Sequence, residues 1–249
     1  MNVILLAAGY ATRLYPLTLT RPKPLLEVAG KPMIDYVIDN LAPIPGIKRA
    51  FVVSNAKFAD QFHRWASART ATQCPFEIVV INDGSTDENN RLGAIGDLNL
   101  VLSKYPEDED VTVVAGDNLF NSSLADFGAY CRRKAQPVLG VYDIKSLTDA
   151  TKYGVVSVDA ESRITRFAEK PAEPESTLIG TALYYYPKAV LPMIRQYIAE
   201  GNNPDQPGRL VQWLYPRLPF YTWAVPGLWF DIGSKETLEE ANRIFVRSA

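Results

Sequence analysis

The sequence predicts an α/β protein built on a mostly parallel sheet covered on both faces. Three observations point there. Short apolar runs alternate with helix-like stretches from the N-terminus to about residue 141. Those runs are continuous rather than alternating in polarity, as strands buried on both faces read. Small or polar residues follow the apolar runs, as at Ala7-Ala8-Gly9 and Gly116-Asp117-Asn118, and ligands bind at the carboxyl edge of such sheets.

Taken in order, Val3–Leu6 reads as a buried strand and Met33–Leu41 as a helix, with Met33, Tyr36, Val37 and Leu41 on one face. Ala50–Val53 is a strand, Phe58–Ala68 a helix, Phe76–Ile81 a strand and Gly93–Ser103 a helix. Val111–Ala115 is a strand ending at Gly116-Asp117-Asn118, then come a helix at Leu124–Arg133 and a strand at Val138–Val141. Beyond this the pattern changes to strand-like pieces joined by short polar turns: Gly154–Val158, Arg163–Phe167 and Leu178–Tyr186. Val190–Ala199 reads as a helix with Pro192 in its first turn. Gly201–Gly208 reads as a loop, Leu210–Leu214 as a short helix and Phe220–Val225 as a strand. Lys235–Val246 reads as a final helix capped by Ser234. No repeat or long linker divides the chain, so 1–249 is expected to be a single domain.

The 249 residues are 47% hydrophobic with a net charge of −2, which speaks against a nucleic-acid or membrane partner. No apolar run approaches spanning length, and the N-terminus lacks a signal-peptide pattern, so a cytoplasmic enzyme is expected. The two cysteines, Cys74 and Cys131, are too isolated for a disulfide framework. His63 is the only histidine, which removes Ser-His-Asp chemistry and histidine-ligated metals; a metal here would take oxygen ligands, as Mg²⁺ does.

The first loop carries the strongest chemical signal. Leu6-Ala7-Ala8-Gly9-Tyr10-Ala11-Thr12-Arg13 is small-residue backbone followed by an arginine, and Lys23 stands ten positions on between Pro22 and Pro24. Small residues let backbone N–H groups approach a ligand, and the cations call for an anion. The loop therefore reads as a polyphosphate cradle rather than an incidental charged surface. Gly30-Lys31-Pro32 does not have Walker spacing, and Ala11 stands where a dinucleotide fingerprint needs its second glycine.

This pattern resembles the signature of the sugar-phosphate nucleotidylyltransferases, with Gly9, Thr12, Arg13, Pro16, Pro22 and Lys23 matching. Ala11 departs from the family's glycine, and its methyl would narrow the backbone approach. The resemblance extends in register through Gly116-Asp117-Asn118, Tyr153-Gly154-Val155-Val156, Glu169-Lys170-Pro171, Gly180-Thr181-Ala182-Leu183-Tyr184 and Trp229-Phe230-Asp231-Ile232-Gly233. It implies a Rossmann-like three-layer sandwich with a mixed, mostly parallel central sheet. A nucleotide-binding part would span about 1–120 and a sugar-phosphate part about 121–249. It also implies a minimal catalytic chain, with homo-oligomers allowed.

By the same resemblance, Arg13, Lys23, Asp117 and Asp231 are the catalytic set, and Asp117 and Asp231 hold Mg²⁺. Leu6, Ala7, Ala8, Gly9, Ala11, Thr12, Arg13, Asn82 and Gly93 bind the nucleotide, and Asn118, Gly154, Glu169, Lys170 and Gly180 bind the sugar phosphate. The partners implied are a nucleoside triphosphate, with dTTP or UTP the first choice, and a hexose 1-phosphate. The residues agree on their own terms: Asp117 follows a strand end, and Asp231 sits among Trp229, Phe230 and Ile232, where a carboxylate needs a partner.

Three alternatives stand beside this reading. Asn89-Asn90 resembles a feature of cytidylyltransferases acting on polyol or choline phosphates. Asp83-Gly84-Ser85-Thr86-Asp87 resembles GT-A glycosyltransferases, but the Asp108-Glu109-Asp110 that would supply their metal motif precedes its strand and reads as a solvated turn. A non-catalytic nucleotide-sugar sensor would be expected to have lost one of the four catalytic residues.

Overall fold

The computed structural model describes residues 1–69, 74–105 and 108–246. Its strands and helices run β1 (Asn2–Leu6), β2 (Glu27–Val28), β3 (Lys31–Pro32), α1 (Met33–Leu41), β4 (Arg49–Ser54), α2 (Ala59–Ser67), β5 (Glu77–Asn82) and α3 (Ala94–Lys104). They continue with β6 (Val111–Ala115), β7 (Asn118–Phe120), α4 (Ala125–Lys134), β8 (Val138–Asp143), α5 (Leu147–Ala150), β9 (Gly154–Val158) and β10 (Ile164–Glu169). The last are β11 (Leu178–Tyr186), α6 (Leu191–Ala199), α7 (Pro207–Leu214), β12 (Tyr221–Ala224), β13 (Trp229–Asp231) and α8 (Lys235–Val246). The fold class is the expected one, an α/β Rossmann-like sandwich with a mixed sheet.

The chain divides into two compact units, each assembled from separated segments. The first comprises Met1–Arg91, Val114–Asp126 and Gly227–Ala249. Its strands β1, β4 and β5 pair in parallel, Val3 opposite Ala50 and Ala50 opposite Ile78. β1 is buried because Val3, Ile4 and Leu5 are fully covered. Helix α1 follows Pro32, whose fixed φ suits a helix start, and buries Met33, Ile34, Val37, Ile38 and Leu41 along one stripe. In α8, Ser234 caps as expected: Thr237 N donates to Ser234 Oγ and Ser234 N to Thr237 Oγ1, a reciprocal cap.

The second unit comprises Leu92–Val113 and Phe127–Pro226. Here β12 runs parallel to β8, while β11 pairs antiparallel with β8 and β10 antiparallel with β9. The change in strand direction follows from the connections: a tight turn at Asp159–Arg163 joins β9 to β10, too short for a parallel crossover. α7 begins at Pro207 rather than within Leu210–Leu214, because proline at the first helical position loses no needed hydrogen bond. Asp108-Glu109-Asp110 is not a purely solvated turn. Asp110 accepts hydrogen bonds from Tyr185 Oη at 2.7 Å and Lys188 N at 2.9 Å.

Candidate active site

The first unit brings together all four residues expected to carry the chemistry. β1 ends at Leu6, and the chain leaves it through Ala7–Ala11 into a short 3₁₀ turn at Thr12–Leu14. Asn55, buried just beyond β4, holds this loop by donating from Nδ2 to Ala8 O at 2.9 Å. The backbone N–H groups of Gly9, Tyr10, Ala11 and Thr12 donate to no acceptor among the described residues. A run of such donors is what an anion-binding loop presents. Arg13 is exposed and forms no ion pair among the described residues, so its guanidinium is free to meet a ligand.

Ala11 adopts φ 48° and ψ 46°, the left-handed region that disfavours a side chain. The demand for glycine here is thus conformational, beyond the narrowed approach expected from its methyl. The carbonyl that this conformation turns inward accepts from Leu14 N and Thr18 Oγ1. Gly9, in contrast, is not left-handed, and a Cβ there would meet nothing within 4 Å.

Two three-residue strands, β7 and β13, pair antiparallel, with Asp231 opposite Asn118. That register sets Asp117, one residue before β7, beside Asp231. Gly116 N donates to Leu6 O at 3.0 Å, which fixes this strand end against the start of the loop. Lys23 then lies between the carboxylates: its Nζ is 2.6 Å from Asp117 Oδ2 and 3.6 Å from Asp231 Oδ1. Burial works against the Lys23 charge, but the two carboxylates outweigh it and hold the ammonium above the ordinary lysine range.

One hydrophobic cluster anchors all four segments. Leu14 next to Arg13, Leu26 in the Lys23 segment, Leu119 near Asp117 and Ile232 next to Asp231 pack together with Met33 and with Ala241 and Phe245 of α8. Phe245 meets Phe230 edge-on at 5.9 Å.

Two carboxylates with oxygen donors fit a hard divalent ion. Among the described residues no three His, Cys, Asp or Glu gather into a protein-only metal cage. Mg²⁺ commonly takes one or two carboxylates and completes its shell with water and substrate phosphate.

Asn82, at the end of β5, turns its Oδ1 back to accept from Gly84 N at 2.8 Å, which directs the amide nitrogen as its remaining donor. Asp83 accepts from Ser85 N and Oγ, and Thr86 and Asn90 bond each other, so the Asp83–Asn90 stretch is tied largely to itself. Gly93 lies in the second unit, unlike the other expected nucleotide residues. It is left-handed, and a Cβ would meet Asp205 Cα and Pro204 O at 2.7 Å, so only glycine lets the chain cross there.

The expected acceptor residues lie in the second unit, except Asn118 in β7. Glu169 closes β10 opposite Gly154 of β9, and Lys170 follows it with φ 49°. The Glu169 carboxylate lies against bare backbone: a Cβ on Gly208 would come within 1.8 Å of Oε2, and one on Gly154 within 3.0 Å. Burial raises the Glu169 carboxyl above the usual glutamate range, against the pull of Lys170 and Arg209. A half-buried carboxylate that forms no ion pair among the described residues suits hydroxyl donors. A Cβ on Gly180 would come within 3.3 Å of the Leu139 side chain, a packing reason for that glycine. Sequence reasoning missed Asn55, Gly208 and Gln212, whose Oε1 accepts from Glu169 N at 3.4 Å; Asn55 follows a strand end and Gly208 lies in the first turn of α7, but Gln212, inside that helix, carried no such signal.

Residues 2–247 match the family described as Nucleotidyl transferase. The chain belongs to the nucleotidyl transferase family. It is 31% identical over 235 residues to a Sulfolobus acidocaldarius protein provisionally described as a mannose-1-phosphate guanyltransferase. That match covers 94% of this chain and 60% of the relative, so the chain spans well under two thirds of that relative's length. It is 28% identical to a UTP–glucose-1-phosphate uridylyltransferase of Haloferax volcanii, covering 76% of this chain and 73% of that one. In fold it is similar to a UDP-glucose pyrophosphorylase solved with UDP-glucose, at 19% identity and a TM-score of 0.83, covering 100% of this chain and 99% of that one.

Proposed function

We propose that this chain transfers a nucleotidyl group from a nucleoside triphosphate to a sugar 1-phosphate, releasing pyrophosphate, with UTP or dTTP and a hexose 1-phosphate as first choices. The observation that carries the reading is the first unit's pairing of a donor-lined loop and Arg13 with a lysine set between two carboxylates. Family membership and relatives named for guanylyl and uridylyl transfer support it.

In this reading the loop N–H groups and Arg13 hold the triphosphate and offset the charge that develops on leaving pyrophosphate. Lys23 neutralises phosphate oxygens at the reacting phosphorus. Asp117 and Asp231 would hold Mg²⁺, which when bound supplies Lewis-acid neutralisation of the phosphates. Glu169 accepts from sugar hydroxyls and Lys170 pairs with the acceptor phosphate, whose oxygen attacks in line. No covalent intermediate is required, since positioning and charge stabilisation carry phosphoryl-type transfers.

The test is pyrophosphate release across a grid of nucleoside triphosphates and sugar or polyol phosphates with Mg²⁺ present. Release with a sugar 1-phosphate is the expected result. Release only with CTP and a polyol or choline phosphate would move the substrate class. Ligand binding with silence across the grid would overturn the reading in favour of a sensor.

A further inference from the structure

Lys23 touches both carboxylates that the proposed function assigns to the metal, and this shared occupancy has a chemical consequence. Its side chain is only 12% exposed, and its Nζ lies 2.6 Å from Asp117 Oδ2 and 3.6 Å from Asp231 Oδ1. A divalent ion bonded to the same oxygens at about 2.1 Å would stand within a few ångströms of the ammonium. Two cations that close, in a partly buried site, repel strongly. The ammonium must therefore give up at least one carboxylate when such an ion enters, and a largely buried ammonium needs a new anion to move to. Among the described residues the local structure sets no further carboxylate against Lys23. What it offers is the adjoining anion-binding loop, with the unpaired N–H groups of Gly9–Thr12. A triphosphate seated there would supply that anion.

We propose that Lys23 acts as a built-in competitor for the divalent ion, so that the metal is bound well only together with the triphosphate that takes Lys23 over. Resting on the metal assignment above, this gives the site an order of assembly: free metal is held weakly, and metal and nucleotide load as a unit. The coupling between them runs through one side chain whose two sets of partners, carboxylate and phosphate, are mutually exclusive.

The experiment measures Mn²⁺ binding to the nucleotide-free protein by the loss of the free-ion electron paramagnetic resonance signal. Wild type is compared with Lys23→Met, Lys23→Gln, Lys23→Arg and Asp231→Asn. Lys23→Met and Lys23→Gln are expected to bind Mn²⁺ at least about tenfold more tightly than wild type, within the usual range of coupling between sites. Lys23→Arg, which keeps the cation, should stay near wild type. Equal or weaker binding by both neutral variants would overturn the proposal, as would micromolar Mn²⁺ binding by wild type with its lysine in place. That last arm needs no variant to fold. If Asp231→Asn changes nothing in a Lys23→Met background, the metal assignment fails. If Asp231→Asn loses affinity there while Lys23→Met gains none over wild type, only the competition fails.

Discussion

Replacing Gly208 with alanine tests whether the position of Glu169 matters for the acceptor, without touching any residue assigned to a ligand. The added Cβ would lie 1.8 Å from Glu169 Oε2, 2.8 Å from its Cδ and 3.1 Å from Phe167 Cζ. Ordinary contact begins near 3.4 Å, so the carboxylate must retreat by about 1.6 Å. Because the clashing atom is the far end of a flexible side chain, the fold is expected to survive, at a stability cost of about 1–3 kcal/mol typical of overpacking. A displacement of that size at a substrate-positioning group costs on the order of 10²-fold, or roughly 2.7 kcal/mol of transition-state binding. The assay is steady-state kinetics with each substrate varied in turn. kcat/KM for the sugar phosphate should fall by about that factor while KM for the triphosphate stays within about twofold. Unchanged acceptor kinetics in a folded Gly208→Ala protein would refute the role given to Glu169.

Four further outcomes follow from the same geometry. Arg13→Ala should lower kcat about 10²–10³-fold with an unchanged melting curve, because the side chain is exposed and unpaired; a Tm fall of comparable weight would make it structural. Asp231→Asn should shift the Mg²⁺ titration of activity to higher concentration, and an unmoved titration would remove Asp231 from the metal site. Ala11→Gly relieves a left-handed residue, which costs about 1–2 kcal/mol, against about 0.5–1 kcal/mol of added chain entropy. A small rise in Tm is expected, and a fall would show that the φ of 48° carries no strain. Glu169 has a folded pKa raised above its unfolded value, so the native state binds its proton more tightly. Its contribution to stability is therefore favourable at low pH and lost as pH rises from the ordinary glutamate range through the raised value. Glu169→Gln should remove that loss, so the variant gains on wild type as pH rises toward neutral; parallel stability–pH curves would contradict this.

The sequence made the chemistry legible more readily than its placement. Val3–Leu6, Arg13 and Lys23 stood out because apolar runs and isolated charges are local signals, whereas Asp117 and Asp231 were singled out by the family resemblance of their segments. The pairing of β7 with β13 could not be read, since three-residue strands over a hundred positions apart carry no periodicity. Yet that register is what sets Asp117 beside Asp231. Ala11 was legible as a departure, but not that its cause is a backbone angle. Gly208 went unnoticed because a glycine's value lies in the atom it lacks, here the one that would strike Glu169. In the second unit, antiparallel pairing was foreshadowed only by the shortening of the links after Val141.

The apolar cluster under the first unit's site has a thermodynamic consequence. Leu14, Leu26, Leu119, Ile232 and Phe245 come from the beginning, middle and end of the chain, yet bury one another. Contacts that join distant segments form or break together, as one cooperative opening unit. Opening of α8 would then loosen together the segments that carry the arginine, the lysine and both aspartates. Loss of activity on warming would then track the hydrogen exchange of amides in α8.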